Sequence, residues 1–405
     1  MPVIFNEPLS FLQRLTEYME YHFLLETANN CDDPVDRIQY VTAFAVSASG
    51  SNWDRLGKPF NPLLGETYEY VREDLGWKII CEQVSHHPPV SAFHVESQTY
   101  RFHGTILPKL KFWGKSVEVQ PKGTITVELL KHGETYTWQN VNCSVHNIIV
   151  GKLWVEHSGQ MEVVNHQTNH RVVLNYKPCG WFGKDAHKLE GVVFNPSKEK
   201  VKILYGSWID TLFSVDPEVY ETWIKSSASR NKSSTGSSNN SISGCTSGQN
   251  GSTGDFHECE DSESADDAFV PRKASTCDLQ LPGQVLLWRA EERPALSKQY
   301  YSFTAFAITL NELSSEQIAT LPPTDSRLRP DIRKLEDGDI DGAAEEKVRL
   351  EEKQRAARKE RKKKKDEWRP CWFMQCQHPE TGKEDWMYTG EYWVTRDWKR
   401  CPDIF

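Results

Sequence analysis

"MEVVNHQTNHRVVLNYKP", running from Met161 to Pro178, is the stretch whose reading decides the fold. Its two halves, Met161–His166 and His170–Pro178, alternate branched or aromatic side chains with polar ones, the period-two signature of a half-buried strand. Only Gln167–Asn169 lies between them, which leaves room for nothing but an antiparallel return. The same pattern continues on both sides in "GTITVELL" (Gly123–Leu130), "NIIVGKLWVEH" (Asn147–His157) and "VKILYGSW" (Val201–Trp208). Ser158-Gly159 reads as one more short polar turn. Short strands joined by short turns form an antiparallel meander, and at this strand number the meander curls toward closure.

Outward from this β region, spanning 57–225, the period changes. Pro8 suits the first turn of a helix, and Leu9, Leu12, Leu15, Met19 and Phe23 recur at helical spacing behind it. A second helix is predicted from Asp33-Pro34, Asp as cap and Pro as first residue, with Ile38, Val41, Ala45 and Ala48 on one stripe. Residues 1–56 therefore form an N-terminal helical segment. Residues 226–282 are Ser/Gly/Asn-rich and then acidic ("ECEDSESADD"), with almost no apolar anchor, and read as a disordered insertion. Strand periodicity resumes in "VLLWRAEERP" (Val285–Pro294) and "YYSFTAFAITLNEL" (Tyr300–Leu313), so 283–313 is expected to supply the final strands. A C-terminal part, 314–405, opens with "LPPTDSRLRPD", continues as a charged helix over roughly 341–366, and ends in an aromatic tail.

The chain has 405 residues, enough for one large domain or two ordinary ones; its charged fraction of 26% points to solvated segments, and 14 Trp to a wall of rings. A net charge of −9 draws it to neither nucleic acid nor acidic membranes, so any such contact needs a local patch. The ten cysteines include no CxxC pair and read as free thiols in a reducing compartment. The first residues lack a basic region followed by an apolar one, and no stretch approaches about 20 uninterrupted apolar residues, so neither a signal peptide nor a membrane span is expected.

Chemistry is sparse. "EQVSHHPP" (Glu82–Pro89) sets His86 and His87 side by side. Adjacent residues in a strand face opposite ways, so their rings share a ligand only if the chain bends there. No third or fourth ligand follows at zinc spacing, which weighs against a metal; a satisfied structural pair and an anion cradle both stay open. "GKPFNPLLGE" (Gly57–Glu66) places Lys58 and Asn61 in a proline-stiffened loop but lacks the spacing of a nucleotide-binding loop. On the late helix Lys347, Glu351 and Arg355 share a face, as chance alone produces in so charged a helix. The run "RKERKKKK" (Arg358–Lys365) is a docking patch for an anionic leaflet, at about 1 kcal/mol per basic residue. No nucleophile elbow or activated cysteine is present.

These strings carry a resemblance. "EQVSHHPP", with "FNEPLSFLQRL" (Phe5–Leu15), "GKPFNPLLGETYE" (Gly57–Glu69), "KLKFWGKS" (Lys109–Ser116), "LPPTDSRLRPD" (Leu321–Asp331) and "EEKQR" (Glu351–Arg355) in order, resembles the lipid-binding domain of the oxysterol-binding protein family, closest to its short related proteins. The resemblance covers the whole chain except the insertion. It implies a β-rich α+β fold: a large, incompletely closed antiparallel barrel around one lipid tunnel, with N-terminal helices and a helical C-terminal subdomain. It implies a tunnel that takes a sterol (cholesterol or an oxysterol) or the chains of phosphatidylinositol 4-phosphate. Lys58, Asn61, His86, His87 and Arg355 would then meet the phosphates, and Lys347 and Glu351 the inositol ring. No cofactor, metal, catalysis or nucleic acid is implied; the expected setting is cytoplasmic, peripheral at membrane contact sites. The family also has a lid just before the "FNEPLS" stretch, and with this chain starting at Met1-Pro2-Val3 most of that lid is expected to be absent. A headgroup sensor that moves no sterol, and an enzyme built on the histidine pair, are the rival readings.

Overall fold

The structure, a computed structural model, describes residues 2–180, 183, 185–234 and 280–405, with the backbone alone for 227–234. It begins not with a helix but with a strand, β1 (Asn6–Ser10), parallel to β2 (Lys58–Phe60). Pro8 and Leu9 thus sit in extended backbone, and the predicted first helix is broken into α1 (Phe11–Thr16), a 3-10 turn and α2 (Phe23–Asn30). Ser10 and Gln13 form the capping box that starts α1, the Ser10 N–H donating to Gln13 Oε1 at 2.8 Å. The Asp33-Pro34 start holds: Asp33 accepts from the Val35 N–H at 2.8 Å and opens α3 (Pro34–Gly50).

The meander follows as β3 (Thr67–Arg72), β4 (Trp77–His86), β5 (Pro89–Ser97), β6 (Tyr100–Trp113), β7 (Ser116–Lys122), β8 (Ile125–Leu129), β9 (Glu134–Trp138) and β10 (Asn142–His146). It continues through β11 (Trp154–Asn165), β12 (Arg171–Tyr176), β13 (Lys188–Phe194), β14 (Lys200–Ser207), β15 (Thr211–Val215) and β16 (Val285–Arg289). All fourteen join one antiparallel sheet. Its order is β16-β15-β14-β13-β12-β11-β10-β7-β6-β5-β4-β3, and β8 and β9 bridge β6 to β11 to close a ring within it. The two ends, β3 and β16, are not paired to each other, so the barrel is partly closed. Val172, Leu174 and Tyr176 of the opening stretch turn inward with α3, whose Ile38, Val41 and Phe44 are wholly buried among them. Ser158-Gly159 is no turn. β11 runs straight through it, and Gly159, at φ +116°, marks where that strand exchanges β10 for β12 as its partner. Residues 147–153 are a loop, so the strand predicted from Asn147 starts at Trp154.

Helix α4 (Pro217–Ser234) runs past the expected start of the insertion, most of which lies outside the described residues. Strands were expected over 283–313, but after β16 the chain forms α5 (Ala305–Thr309), capped by Thr304. Phe303, Ala307 and Leu310, one helical face, bury there against the core. The C-terminal part adds α6 (Ser315–Thr320), α7 (Pro330–Glu336) and α8 (Ile340–Lys364), then the hairpin β17 (Phe373–Gln377) and β18 (Glu384–Tyr388), then α9 (Tyr392–Thr395). This last block covers the outer face of β4 and β5. Ile79 and Cys81 face the barrel core while Ile80 and Val84 pack with Trp372, Phe373 and Tyr392, so β4 is apolar on both faces rather than alternating. No helix among the described residues is long and apolar enough to cross a membrane.

Candidate functional site: a barrel cavity with a cationic mouth

The barrel holds a cavity of about 560 Å³, within the roughly 300–1,000 Å³ range of small-molecule sites. Leu15 of α1, Tyr18 of the 3-10 turn after it, Ile106 of β6, Met161 of β11 and Val141 just before β10 give it an apolar wall. Inside, Arg14, Asn52 and His157 supply polar groups. Arg14 is held by Glu7 at 2.8 Å, and burial pushes His157 down to about 4, so that ring is neutral.

Lys58, Asn61, His86 and His87 line the same cavity. β1 fixes the first pair: Asn6 Nδ2 donates to the Lys58 carbonyl at 3.0 Å, and Lys58 Nζ donates to Asn61 Oδ1 at 2.6 Å. The loop between them and β3 is anchored by Glu66, fully buried. Glu66 accepts from the Ser10 and Ser326 hydroxyls (2.5 and 2.7 Å), the Leu63 N–H (2.8 Å) and the Arg329 guanidinium (2.7 Å). Burial, then the charges of Lys347 and Arg329, hold the Lys58 ammonium down to about 8.

The bend that the histidine pair required is present, since β4 ends at His86 and β5 begins at Pro89. The rings meet edge-on, centroids 4.8 Å apart. Gln354 Oε1 accepts from the Leu64 N–H at 2.7 Å, so its amide nitrogen is the donor toward His86 Nε2 at 2.9 Å. Nε2 is thereby an acceptor, and the neutral ring carries its proton on Nδ1. That Nδ1 is buried and makes no well-formed hydrogen bond among the described residues. Burial, then His87 and Arg358, lower the His86 pKa below the ordinary imidazole value. His87 is exposed at the mouth. Among the described residues no cluster of three or more His, Cys, Asp or Glu is placed to hold a metal.

Lys347, Glu351 and Arg355 belong to α8 and do not line the cavity itself. Glu351 pairs with both neighbours, Lys347 at 3.4 Å and Arg355 at 3.0 Å. The Lys347 and Glu351 charges reach Lys58, whereas the Arg355 side chain is 68% exposed. The α8 residue that touches His86 is Gln354, which the i, i+4, i+8 spacing of Lys347, Glu351 and Arg355 passes over. At about 100° per residue, position 354 lies closer to the direction of 347 than 355 does, and that signal was available in the sequence. Glu82, the first residue of the histidine motif, faces away from the cavity and accepts the Cys371 and Trp372 N–H groups at 2.7 and 2.9 Å. Burial raises its pKa to about 7. Glu82 is therefore a clamp on the C-terminal block.

A partly closed antiparallel barrel with an apolar cavity and cations at its mouth defines a binding protein for amphiphiles. A family profile described as "Oxysterol-binding protein" matches residues 1–397. Oxysterol-binding protein-related protein 1 of Homo sapiens is 54% identical over 407 residues, covering 100% of this chain and 40% of that protein. The human related protein 2 is 52% identical, covering 100% and 81%. The chain belongs to the oxysterol-binding protein family. It spans less than half the length of the related protein 1 sequences it matches. Among solved structures, it is similar to the Osh1 ORD domain in complex with cholesterol (TM-score 0.79, 32% identity, 100% of this chain and 86% of that one). It is also similar to the Osh3 ORD in complex with PI(4)P from Saccharomyces cerevisiae (TM-score 0.72, 29% identity, 100% and 90%).

Proposed function

We propose that this chain is a lipid-transfer module that takes a sterol or phosphatidylinositol 4-phosphate into its one barrel cavity and exchanges them between apposed membranes, where it sits peripherally on the cytoplasmic side. The observation that carries the reading is the joining of an apolar cavity to a mouth lined by Lys58, Asn61, His86 and His87. A phosphomonoester brings close to two negative charges and three strong acceptors, and asks for several convergent donors. Lys58 and the histidines supply them at the mouth, with Lys347 and Glu351 beside them for the inositol ring; Arg355 completes the set by swinging in from solvent. A sterol asks for the opposite, an apolar wall with a few polar groups. The solved relatives described above hold one ligand of each kind.

The two ligands exclude one another because they compete for one volume, and the phosphoinositide gradient then sets the direction of sterol movement. Withdrawal from a bilayer is reversible because the wall replaces the acyl environment. The test is transfer of a fluorescent sterol between two vesicle populations, with and without phosphatidylinositol 4-phosphate in the acceptor, for the wild type and for His86→Ala/His87→Ala. Acceleration by the phosphoinositide that the double substitution abolishes is the expected result. Headgroup binding without sterol movement would make the chain a sensor instead, and transfer indifferent to the histidines would remove them from the site.

A further inference from the structure

Beyond the cavity, the barrel wall continues as an apolar rim. In the β6–β7 hairpin the inward-facing pairs run Pro108 with Pro121, Leu110 with Val119, and Phe112 with Val117; β10 adds Cys143 beside Val119 and Val145 beside Val117. The first two pairs line the cavity. Phe112 carries the same face past it and is 72% exposed, with Trp113 beside it at the turn, 63% exposed. The loop at 147–153 is tied to this turn, the Ile148 N–H donating to the Lys115 carbonyl at 3.0 Å, and it presents Ile149 and Val150, also mostly exposed. Large apolar side chains grouped at a loop tip are costly in water and mark a contact surface.

The charge around them indicates what they contact. Lys109 and Lys111 lie on the opposite face of β6 from Phe112, Lys115 is in the turn and Lys152 is in the neighbouring loop. Against these four lysines, residues 109–120 and 147–153 hold one acid, Glu118, a net charge of +3 on a chain whose total is −9. Lys109, Lys111, Lys115 and Lys152 make no ion pair with any described residue. Rings and branched side chains ringed by lysines match an anionic bilayer, where the apolar groups enter the acyl boundary and the ammonium groups remain with the headgroups.

We propose that the tip formed by Phe112, Trp113, Ile149 and Val150, with its lysine collar, inserts into an anionic lipid bilayer and makes the inner wall of the cavity continuous with the membrane interior. This rests on the lipid-transfer reading, and it gives the cargo a path along Leu110 and Phe112 that avoids water. It is distinct from the basic run on α8, which has charge without apolar depth.

The test is flotation of the full chain with phosphatidylcholine vesicles containing about 30% phosphatidylserine, and with phosphatidylcholine alone. Phe112→Ser/Trp113→Ser and Ile149→Ser/Val150→Ser are expected to lower binding to the anionic vesicles at least about tenfold each. Lys111→Glu/Lys115→Glu is expected to erase the preference for them. The replaced side chains are exposed, so far-UV circular dichroism and melting should match the wild type. Calorimetric binding of a soluble short-chain phosphoinositide should be unchanged in the tip variants. Tip variants that float like the wild type, or a wild type indifferent to phosphatidylserine, overturn the proposal. So does a wild-type dimer in light scattering that the tip substitutions convert to monomer, since the patch then belongs to a second copy. Failure of the wild type to bind the soluble headgroup or sterol, with vesicle binding intact, would sink the transfer reading and leave the tip standing.

Discussion

Replacing Lys58 by Met keeps the aliphatic stem and deletes the charge. In the wild type the ammonium is held down to about 8, first by burial and then by Lys347 and Arg329. The distance from the ordinary lysine value of 10.5 corresponds to roughly 3 kcal/mol against the charged form. Lys58 still reaches solvent at the mouth, and screening leaves about 1–2 kcal/mol of that. Between the two pKa values the folded chain binds fewer protons than the unfolded one, so wild-type stability rises with pH across that window and carries its full penalty below 8. Lys58→Met is therefore expected to be more stable than the wild type at neutral pH, by about 1–2 kcal/mol, with the advantage fading toward pH 10.5. Ligand binding should move the other way. A phosphate at the mouth restores the ammonium through a charge-assisted hydrogen bond of about 1.5–3 kcal/mol, so the variant should bind a soluble phosphoinositide roughly 10- to 100-fold more weakly. Wild-type affinity should also fall as pH rises above about 8, by less than tenfold per pH unit, because binding must then recruit a proton. The phosphate's own second ionisation, near pH 6, lies outside this range. Urea unfolding and titration calorimetry at several values between about pH 7 and 9.5 measure both halves. A wild-type affinity flat with pH, together with a Met variant that is no more stable and binds as tightly, would refute the reasoning.

Glu66→Ala strips four donors of their acceptor and leaves Asp331 as the one carboxylate on the Arg329 guanidinium among the described residues; a loss of about 3–5 kcal/mol in urea unfolding is expected, and less than about 1 kcal/mol would show the network is dispensable. Glu82→Ala orphans the Cys371 and Trp372 N–H groups, which should cost about 2 kcal/mol or more and expose the segment after residue 370 to limited proteolysis; an unchanged digestion pattern would contradict the clamp. Met161→Trp adds volume to the apolar wall, and should lower sterol binding at least about tenfold while soluble headgroup binding persists. Equal sterol affinity in that variant would place the sterol elsewhere.

The alternation in Met161–Pro178 and its neighbours was enough to announce an antiparallel meander, because strand period is set by which side of the pleat each side chain occupies. Asp33-Pro34 announced α3 for a similarly local reason. "YYSFTAFAITLNEL" misled because a short apolar run satisfies both periods; the Thr304 cap and the burial of Phe303, Ala307 and Leu310 on one side decided for α5. Leu9 sits at helical spacing yet lies in β1, held there by pairing with a segment some 50 residues away.

The sequence by itself determined the kind of surface this protein has: which strands alternate, which strings of residues mark its family, and which cations and imidazoles are available. Only the tertiary structure decided which of them meet. His86 and Gln354 are 268 positions apart, and no local period relates them. Arg355, one residue further along α8, turns into solvent, while Glu82 at the start of the histidine motif turns to the C-terminal backbone. Local patterns follow from steric contacts between near neighbours along the chain. Convergence at the mouth follows from how β1, the β4–β5 bend and α8 pack, and those long-range contacts fix each side chain's direction.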